Sequence, residues 1–155
     1  MEVRSFQPED ADRMGEVFHK AVREGAVARY DAEQVAAWSP KAPAGDRWAA
    51  RLSAADTVLA EDAGVSLGFM TVDGSGYLDL AFVVPEAMGH GVADAIYAVV
   101  EGRARARGLR RLTTQASLMA EGFFARHGWT VTERQEVEIG GAVLKNAWME
   151  KWLVR

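Results

Sequence analysis

The sequence predicts a single α+β (mixed α/β) domain, on three observations. Apolar residues recur at helical spacing in the first third of the chain and again after residue 91, but alternate or run together between residues 57 and 84 and beyond 129. Proline, glycine and Asp-Gly signals separate these segments at short intervals. The length, 155 residues with 49% hydrophobic and 26% charged side chains, is about one domain's worth and is enough to bury a core.

Val3-Arg4-Ser5-Phe6 is a short strand closed by Pro8. Pro8-Glu9-Asp10 opens a helix, with proline in the first turn and acids at the positive dipole end. Met14, Val17, Phe18, Ala21 and Val22 follow on one face, and Gly25 ends the run. Asp31 and Gln34 form a capping-box pattern for a second helix, which reaches Trp38 before Pro40 and Pro43. Asp46 caps a third, where Trp48 and Leu52 stand four residues apart. The period then changes. Thr57 to Glu61 is a strand turning at Asp62-Ala63-Gly64, and Val65, Leu67, Phe69 and Thr71 alternate with their neighbours in the next. Asp73-Gly74 supplies hairpin chemistry through residues that tolerate positive φ. Tyr77 to Val84 is almost wholly apolar, a central strand covered on both faces and ended by Pro85.

Val92, Ala93, Ile96, Tyr97, Val100 and Ala104 mark the clearest helix, stopped by Gly108. Arg111 to Ala116 is a strand, and Met119 to His127 a short helix with Gly128 as its left-handed cap. Trp129 to Ile139 and Ala142 to Leu153 are two long strands joined across Gly140-Gly141. The order β, α-α-α, β-β-β, α, β, α, β-β builds one layer-packed domain over residues 1–155, without repeats or linkers.

A formal charge of −4 argues against general nucleic-acid binding, which needs a basic face. Arg103, Arg105, Arg107, Arg110 and Arg111 are a local exception, expected as the solvated end of the long helix, with a ligand phosphate as the sharper alternative. Without cysteine there is no disulfide, thiol nucleophile or thiolate metal site, and His19, His90 and His127 lack metal-ligand spacing. Met1-Glu2-Val3-Arg4 is unlike a signal peptide, and no apolar run approaches the roughly 20 residues of a membrane span. The expectation is a cytoplasmic protein with no membrane, nucleic-acid or metal partner.

The informative segment is Leu80-Ala81-Phe82-Val83-Val84-Pro85-Glu86-Ala87-Met88-Gly89-His90-Gly91-Val92-Ala93. A buried strand feeds a loop with glycines two apart, and the loop opens directly into an amphipathic helix. Helix starts expose unpaired N–H groups and a positive dipole end, and glycine lets an anion approach the backbone closely. The loop lacks the Lys-Ser/Thr ending of a Walker loop and the further glycine of a dinucleotide fingerprint. A lone Gly-x-Gly is more often a plain turn, so the context carries the argument: the cradle follows a three-strand meander and precedes a strand and a short helix.

Here the chain resembles the GNAT superfamily, the acyl-CoA-dependent N-acetyltransferases. Met88-Gly89-His90-Gly91-Val92-Ala93 matches the family's Gln/Arg-x-x-Gly-x-Gly/Ala loop in spacing and at its glycine and alanine positions. Phe82-Val83-Val84-Pro85 is similar to the usual entry to that loop, and Phe123-Phe124-Ala125-Arg126-His127-Gly128-Trp129 resembles the family's helix end. The resemblance implies a central, mostly antiparallel twisted sheet flanked by helices, with acetyl-CoA as cosubstrate. It places the pyrophosphate on the backbone of Met88 to Ala93, and the pantetheine arm on main-chain groups of Phe82, Val83 and Val84. It also puts Ser117 beside that arm. Two departures stand out. Met88 replaces the usual Gln/Arg, and Phe124 replaces a tyrosine that often serves as general acid; a phenyl ring cannot donate a proton.

Acetyl transfer to an amine needs a neutral nucleophile, a polarised carbonyl and a route for two protons. Tyr77 and Asp79 alternate onto one face of the central strand, where related enzymes often carry a base, and apolar neighbours would strengthen Asp79 in that role. The bland alternative is a structural acid held by backbone or arginine. Tyr30 and Trp38, from the first helices, are expected to shape the acceptor pocket, with core packing the competing role for Trp38. His19 is expected to be structural and Glu24 exposed. Trp129, Trp148 and Trp152 are read as core, with a homodimer surface as the alternative. The function implied is N-acetylation of a small-molecule, amino-acid or peptide amine. A non-catalytic acyl-CoA-binding module is the alternative that the missing tyrosine leaves open.

Overall fold

Seven strands form one sheet in the order β1-β2-β3-β4-β5-β7-β6, and the computed structural model describes residues 1–154 of the chain. In chain order the elements are β1 (Glu2–Ser5), α1 (Ala11–Lys20), α2 (Ala32–Trp38), α3 (Gly45–Ser53), β2 (Asp56–Asp62), β3 (Val65–Val72), β4 (Tyr77–Val83), α4 (Val92–Ala106), β5 (Arg111–Ser117), α5 (Glu121–Arg126), β6 (Thr130–Ile139) and β7 (Ala142–Trp152). Neighbouring strands are antiparallel except β4 and β5, which are parallel. This is the expected mixed, mostly antiparallel sheet.

Strand alternation assigns the helices to the two faces. On β7, Leu144 packs in a cluster with Val22, Tyr30 and Val35, on the side of α1 and α2. Lys151, of opposite parity, reaches Glu101 of α4. The main core fills the layers against β2, β3 and β4, from Met14 and Trp48 to Ile96, Tyr97 and Val100. Trp48 is fixed there because its indole N–H donates to the Ala11 carbonyl at 2.7 Å.

Three local expectations are corrected. Asp46 does not cap α3; the N-cap is Ala44, and Asp46 sits in the first turn, where a carboxylate still complements the dipole. The positive φ of the β3–β4 loop belongs to Gly76 (92°) instead of Gly74, because Asp73 folds its carboxylate back onto the N–H groups of Ser75 and Tyr77. The first helix does not end cleanly at Gly25. It widens into a π turn over Ala21–Gly25 and tightens into a 3₁₀ turn over Ala26–Ala28.

Near the β1–β2 edge, Arg4 clamps Asp10 with Nη1–Oδ2 2.8 Å and Nη2–Oδ1 2.9 Å, and Glu61 with Nε–Oε1 2.9 Å. Asp10 is only 1% exposed and also accepts from the Gln7 N–H at 2.8 Å. The Arg4 guanidinium holds the Asp10 carboxyl below the usual carboxylate range, against the opposing effect of burial. Asp10→Ala is expected to lower the unfolding free energy by about 2 kcal/mol at pH 7, read from urea titration. A depressed folded pKa means this contribution is complete above about pH 4 and vanishes as pH falls through the folded value. The gap between variant and wild type should therefore close on acidification.

Candidate active site

The site is built where β4 and β5 part. They pair only at Tyr77↔Thr113 and Leu78↔Thr114, while β4 runs on to Val83 and β5 to Ser117. Along its other edge β4 stays bonded to β3 through Val83, and the Val84 N–H donates to the Leu67 carbonyl at 2.9 Å. An antiparallel ladder alternates, so if Val84 and Phe82 turn their backbone groups to β3, Val83 and Ala81 turn theirs into the gap.

Past Pro85–Ala87 the chain turns through Met88 to Gly91 into α4. Gly89 and Gly91 both lie in the left-handed region, at φ 79° and 80°, and a Cβ on either would meet nothing within 4 Å. The glycines are thus required by the backbone path, and the space above them is open. Gly91 is the N-cap of α4 and no side chain caps the helix, so the first-turn N–H groups face that space. Asp94 sits in the same turn. Its carboxylate meets His127 Nε2 at 2.7 Å, and this bond, with Arg126 adding to it, keeps the acid below its ordinary range. His127 in turn lies against the rings of Tyr97 and Phe123, with centroids 4.6 Å away in each case.

Two clefts flank the parting strands. The first, about 440 Å³, is lined by Gly89, Gly91, Val92 and Ala93, by Val83, Ser117 and Phe124, and by Ala21 and Val22 of the π turn with Ala26 of the following 3₁₀ turn. The second, about 340 Å³, holds Tyr30, Tyr77 and Asp79. Trp38, Ala81, Phe82, Ser117, Ala120 and Phe124 line both, so the two clefts meet at the splay.

In the second cleft, Arg51 of α3 grips Asp79 through Nε–Oδ2 2.8 Å and Nη2–Oδ1 2.9 Å. Tyr77 accepts a bond from Gln115 Nε2 at 3.2 Å, which leaves its own hydroxyl proton free to donate. Burial pushes the Tyr77 phenol up, so it stays protonated near neutrality. Tyr30 is spent differently: its hydroxyl donates to the Lys145 carbonyl at 2.6 Å and accepts from the Leu118 N–H at 2.9 Å. Its ring still lines the cleft, edge-on to Trp38 with centroids 5.6 Å apart.

The structure thus gathers Met88, Gly89, Gly91, Val92, Ala93, Phe82, Val83, Ser117 and Phe124 around the first cleft, and Tyr30, Trp38, Tyr77 and Asp79 around the second. Two expectations change. The Val84 N–H and carbonyl are already bonded, to the Leu67 carbonyl and the Ala87 N–H. Phe82 turns its backbone to β3 and lines the clefts with its ring. For Asp79 the structure shows the alternative, an acid held by an arginine, Arg51. The His90 side chain is exposed and is not among the residues lining either cleft.

The arginine cluster lies at the other end of α4, about 22 Å along the axis from the glycines. There Arg103 and Arg107 pair with Asp56, and Arg111 pairs with Glu150. Trp129 is core, bonded to the Tyr97 hydroxyl at 2.9 Å, whereas Trp152 is exposed under Arg111. His19 meets the Ser39 hydroxyl at 2.6 Å, and Glu24 is exposed.

Sequence reasoning missed Arg51, the wall of Ala21, Val22 and Ala26, and Asn146, which lines the second cleft. Nothing near Arg51 in the sequence marks it. Asn146 did leave a trace, as the polar residue in phase between Leu144 and Trp148.

A mostly antiparallel sheet, opened at its one parallel pair above a glycine turn that starts a helix, is the frame of an acyl-transfer domain. The chain belongs to the GNAT acetyltransferase family: the family model described as Acetyltransferase (GNAT) domain matches residues 26–148. It is 30% identical over 149 residues to YafP, an uncharacterized N-acetyltransferase of Escherichia coli K12, covering 96% of this chain and 94% of that protein. Among solved structures, the GCN5-related N-acetyltransferase (Aminotransferase, Class-II) of Rhodopseudomonas palustris superposes with TM-score 0.91 at 34% identity, over 98% of this chain and 95% of that one. The putative acetyltransferase yncA of Salmonella typhimurium, solved with acetyl-CoA, shares the fold at TM-score 0.76 and 18% identity, over 100% and 95% of the two chains.

Tyr30→Phe should leave the partly buried Leu118 N–H and Lys145 carbonyl without their partner. A loss of about 1–2 kcal/mol in thermal or urea unfolding is expected, with acetyl-CoA affinity unchanged by calorimetry.

Proposed function

We propose that this protein transfers the acetyl group of acetyl-CoA to an amine of a small molecule, amino acid or peptide, by direct attack within a ternary complex. The observation that carries this reading is the meeting of two clefts at the β4–β5 splay, one with an open anion cradle and the other with titratable side chains. The site residues fit the cosubstrate. Free first-turn N–H groups of α4 and the unobstructed glycines suit a pyrophosphate, and the backbone of Ala81 and Val83 suits a pantetheine amide. The Salmonella relative in fold was solved with acetyl-CoA, and the PaiA N-acetyltransferase of Thermoplasma acidophilum with coenzyme A.

Acetyl-CoA supplies an activated thioester. The amine nitrogen bonds to its carbonyl carbon as the carbon–sulfur bond breaks; one proton leaves the amine and one reaches the departing thiolate. In this reading Asp79, oriented by Arg51, takes the amine proton directly or through a water, and Tyr77 is the nearby hydroxyl donor. Phe124 packs at the junction and donates nothing. That lack favours a second reading, a non-catalytic acyl-CoA-binding module.

The exposed Val131, Val143 and Trp152 stand towards opposite ends of the β6–β7 hairpin and not in one patch, an ordinary surface distribution that lends a homodimer no support. Among the described residues no helix is long and apolar enough to cross a membrane, and no three acidic, histidine or cysteine side chains gather as a metal site.

Calorimetry with acetyl-CoA and CoA should give saturable binding to the wild type, and at least a tenfold loss in Gly91→Asp, which strains the left-handed N-cap and adds an anion. No binding by folded wild type would overturn the transferase and the binding-module readings together. Asp79→Asn should lower kcat by about 100-fold with acetyl-CoA affinity unchanged. Turnover as fast as wild type would remove Asp79 from the proton path.

A further inference from the structure

Asp94 stands third in α4, behind Val92 and Ala93, with Gly91 as the N-cap. An acid in that turn is drawn by the helix dipole to the same N–H groups that a ligand phosphate would use. At two other helix starts of this chain the third side chain does fold back: Asp10 Oδ2 accepts from the Gln7 N–H at 2.8 Å, and Gln34 Oε1 from the Asp31 N–H at 2.9 Å. At α4 it does not. The Asp94 carboxylate turns to α5 instead, with His127 Nε2 2.7 Å and Arg126 Nη1 3.5 Å from its Oδ1. Gly91, Val92 and Ala93 carry no polar side chain, so Asp94 is the one first-turn group able to fill the cradle.

His127 is firmly placed. It is the C-cap residue of α5, its backbone N–H donates to the Phe124 carbonyl at 3.0 Å, and its ring lies 4.6 Å from those of Tyr97 and of Phe123. Arg126 is the looser tether, with 64% of its side chain exposed against 26% for His127. The other polar groups behind the histidine are committed to one another: Glu101 accepts from the Tyr97 hydroxyl at 2.8 Å and from Lys151 Nζ at 2.5 Å. Asp94 and Arg126 both line the first cleft with Gly89, Gly91, Val92 and Ala93. The contact therefore joins the helix of the cradle to the helix that carries Phe124.

Resting on the transferase reading, we propose that His127 is a positioning residue for the cosubstrate, and that it works by latching Asp94 away from the anion cradle. With the latch closed, the first-turn N–H groups stay free and the acid is engaged on the side of α5. Released, the carboxylate swings over the helix start and competes with the pyrophosphate, both by taking donors and by like-charge repulsion. The apparent affinity then falls in proportion to the fraction of molecules whose cradle is open. His127 and the ligand need never touch. Asp94 is an internal competitor that the neighbouring helix holds off.

The test is calorimetric binding of acetyl-CoA to wild type, His127→Gln, His127→Phe, Asp94→Ala and the double variant His127→Phe with Asp94→Ala. Phenylalanine keeps a ring beside Tyr97 and Phe123 but cannot bond Asp94, whereas glutamine keeps an N–H donor. His127→Phe should weaken binding roughly fivefold or more, and His127→Gln should weaken it less. Asp94→Ala should bind at least as tightly as wild type, and the double variant should return to within about twofold of Asp94→Ala. That rescue is decisive. A histidine needed only for packing, or for its own attraction to a phosphate, would leave the double variant as weak as His127→Phe. A double variant that stays weak would overturn the proposal, as would His127→Phe binding like wild type or Asp94→Ala binding less tightly. Should His127→Phe not fold, Asp94→Ala decides alone. Any of these results would leave the acetyl-CoA site standing, whereas folded wild type that binds no acetyl-CoA would remove the transferase reading and the latch with it.

Discussion

β4 pairs with β3 from Leu78 to Val83 but with β5 at two residues only, and the rest of the site follows from that inequality. A parallel partner cannot be reached by a tight turn, so the chain leaves β4 through the glycine loop, crosses by α4 and returns as β5. The same crossover that makes the pair parallel places a long helix start at the mouth of the gap. Beyond Leu78 the freed edge of β4 presents backbone groups that nothing in the protein satisfies through strand pairing. An extended, amide-bearing ligand is the natural complement to such an edge, as a further strand would be.

The charged residues divide into two populations with different work. Arg4, Arg103, Arg107 and Arg111 secure the periphery, tying β1 to β2, the C-terminal end of α4 to Asp56, and β5 to β7. These are partly exposed pairs, each of small worth, and they explain why a run of arginines can mean nothing for ligand binding. Arg51 and Asp79 are the exception, since their pairing occurs on a cleft wall and empties that wall of net charge.

The fold was largely legible because its elements carry strong periodic signals. The apolar run over Tyr77 to Val84, the amphipathic stretch from Val92 and the Gly140-Gly141 join all fell within a residue or two of the structure. What could not be read was set by tertiary contact. Asp46 carries a good capping side chain, yet the cap is Ala44, and the π turn at Ala21–Gly25 has no sequence signature at all. At the site, the loop was visible because glycine spacing is local. The Asp79 environment was not, because Arg51 arrives from 28 residues away. Val84 was misjudged for a related reason: which strand-end amides stay free depends on ladder register, which one strand alone does not reveal.

Phe82, Trp38 and the buried Phe124 each line both clefts. A partition with two occupied sides is a thermodynamic link. Whatever shifts one of these rings on the first side changes the room and the contacts on the second, and the resulting change in affinity must be reciprocal. In the proposed ternary complex, order of binding and cooperativity between the two ligands would run through these three shared aromatic rings. Substitutions at the partition will seldom alter one affinity without the other.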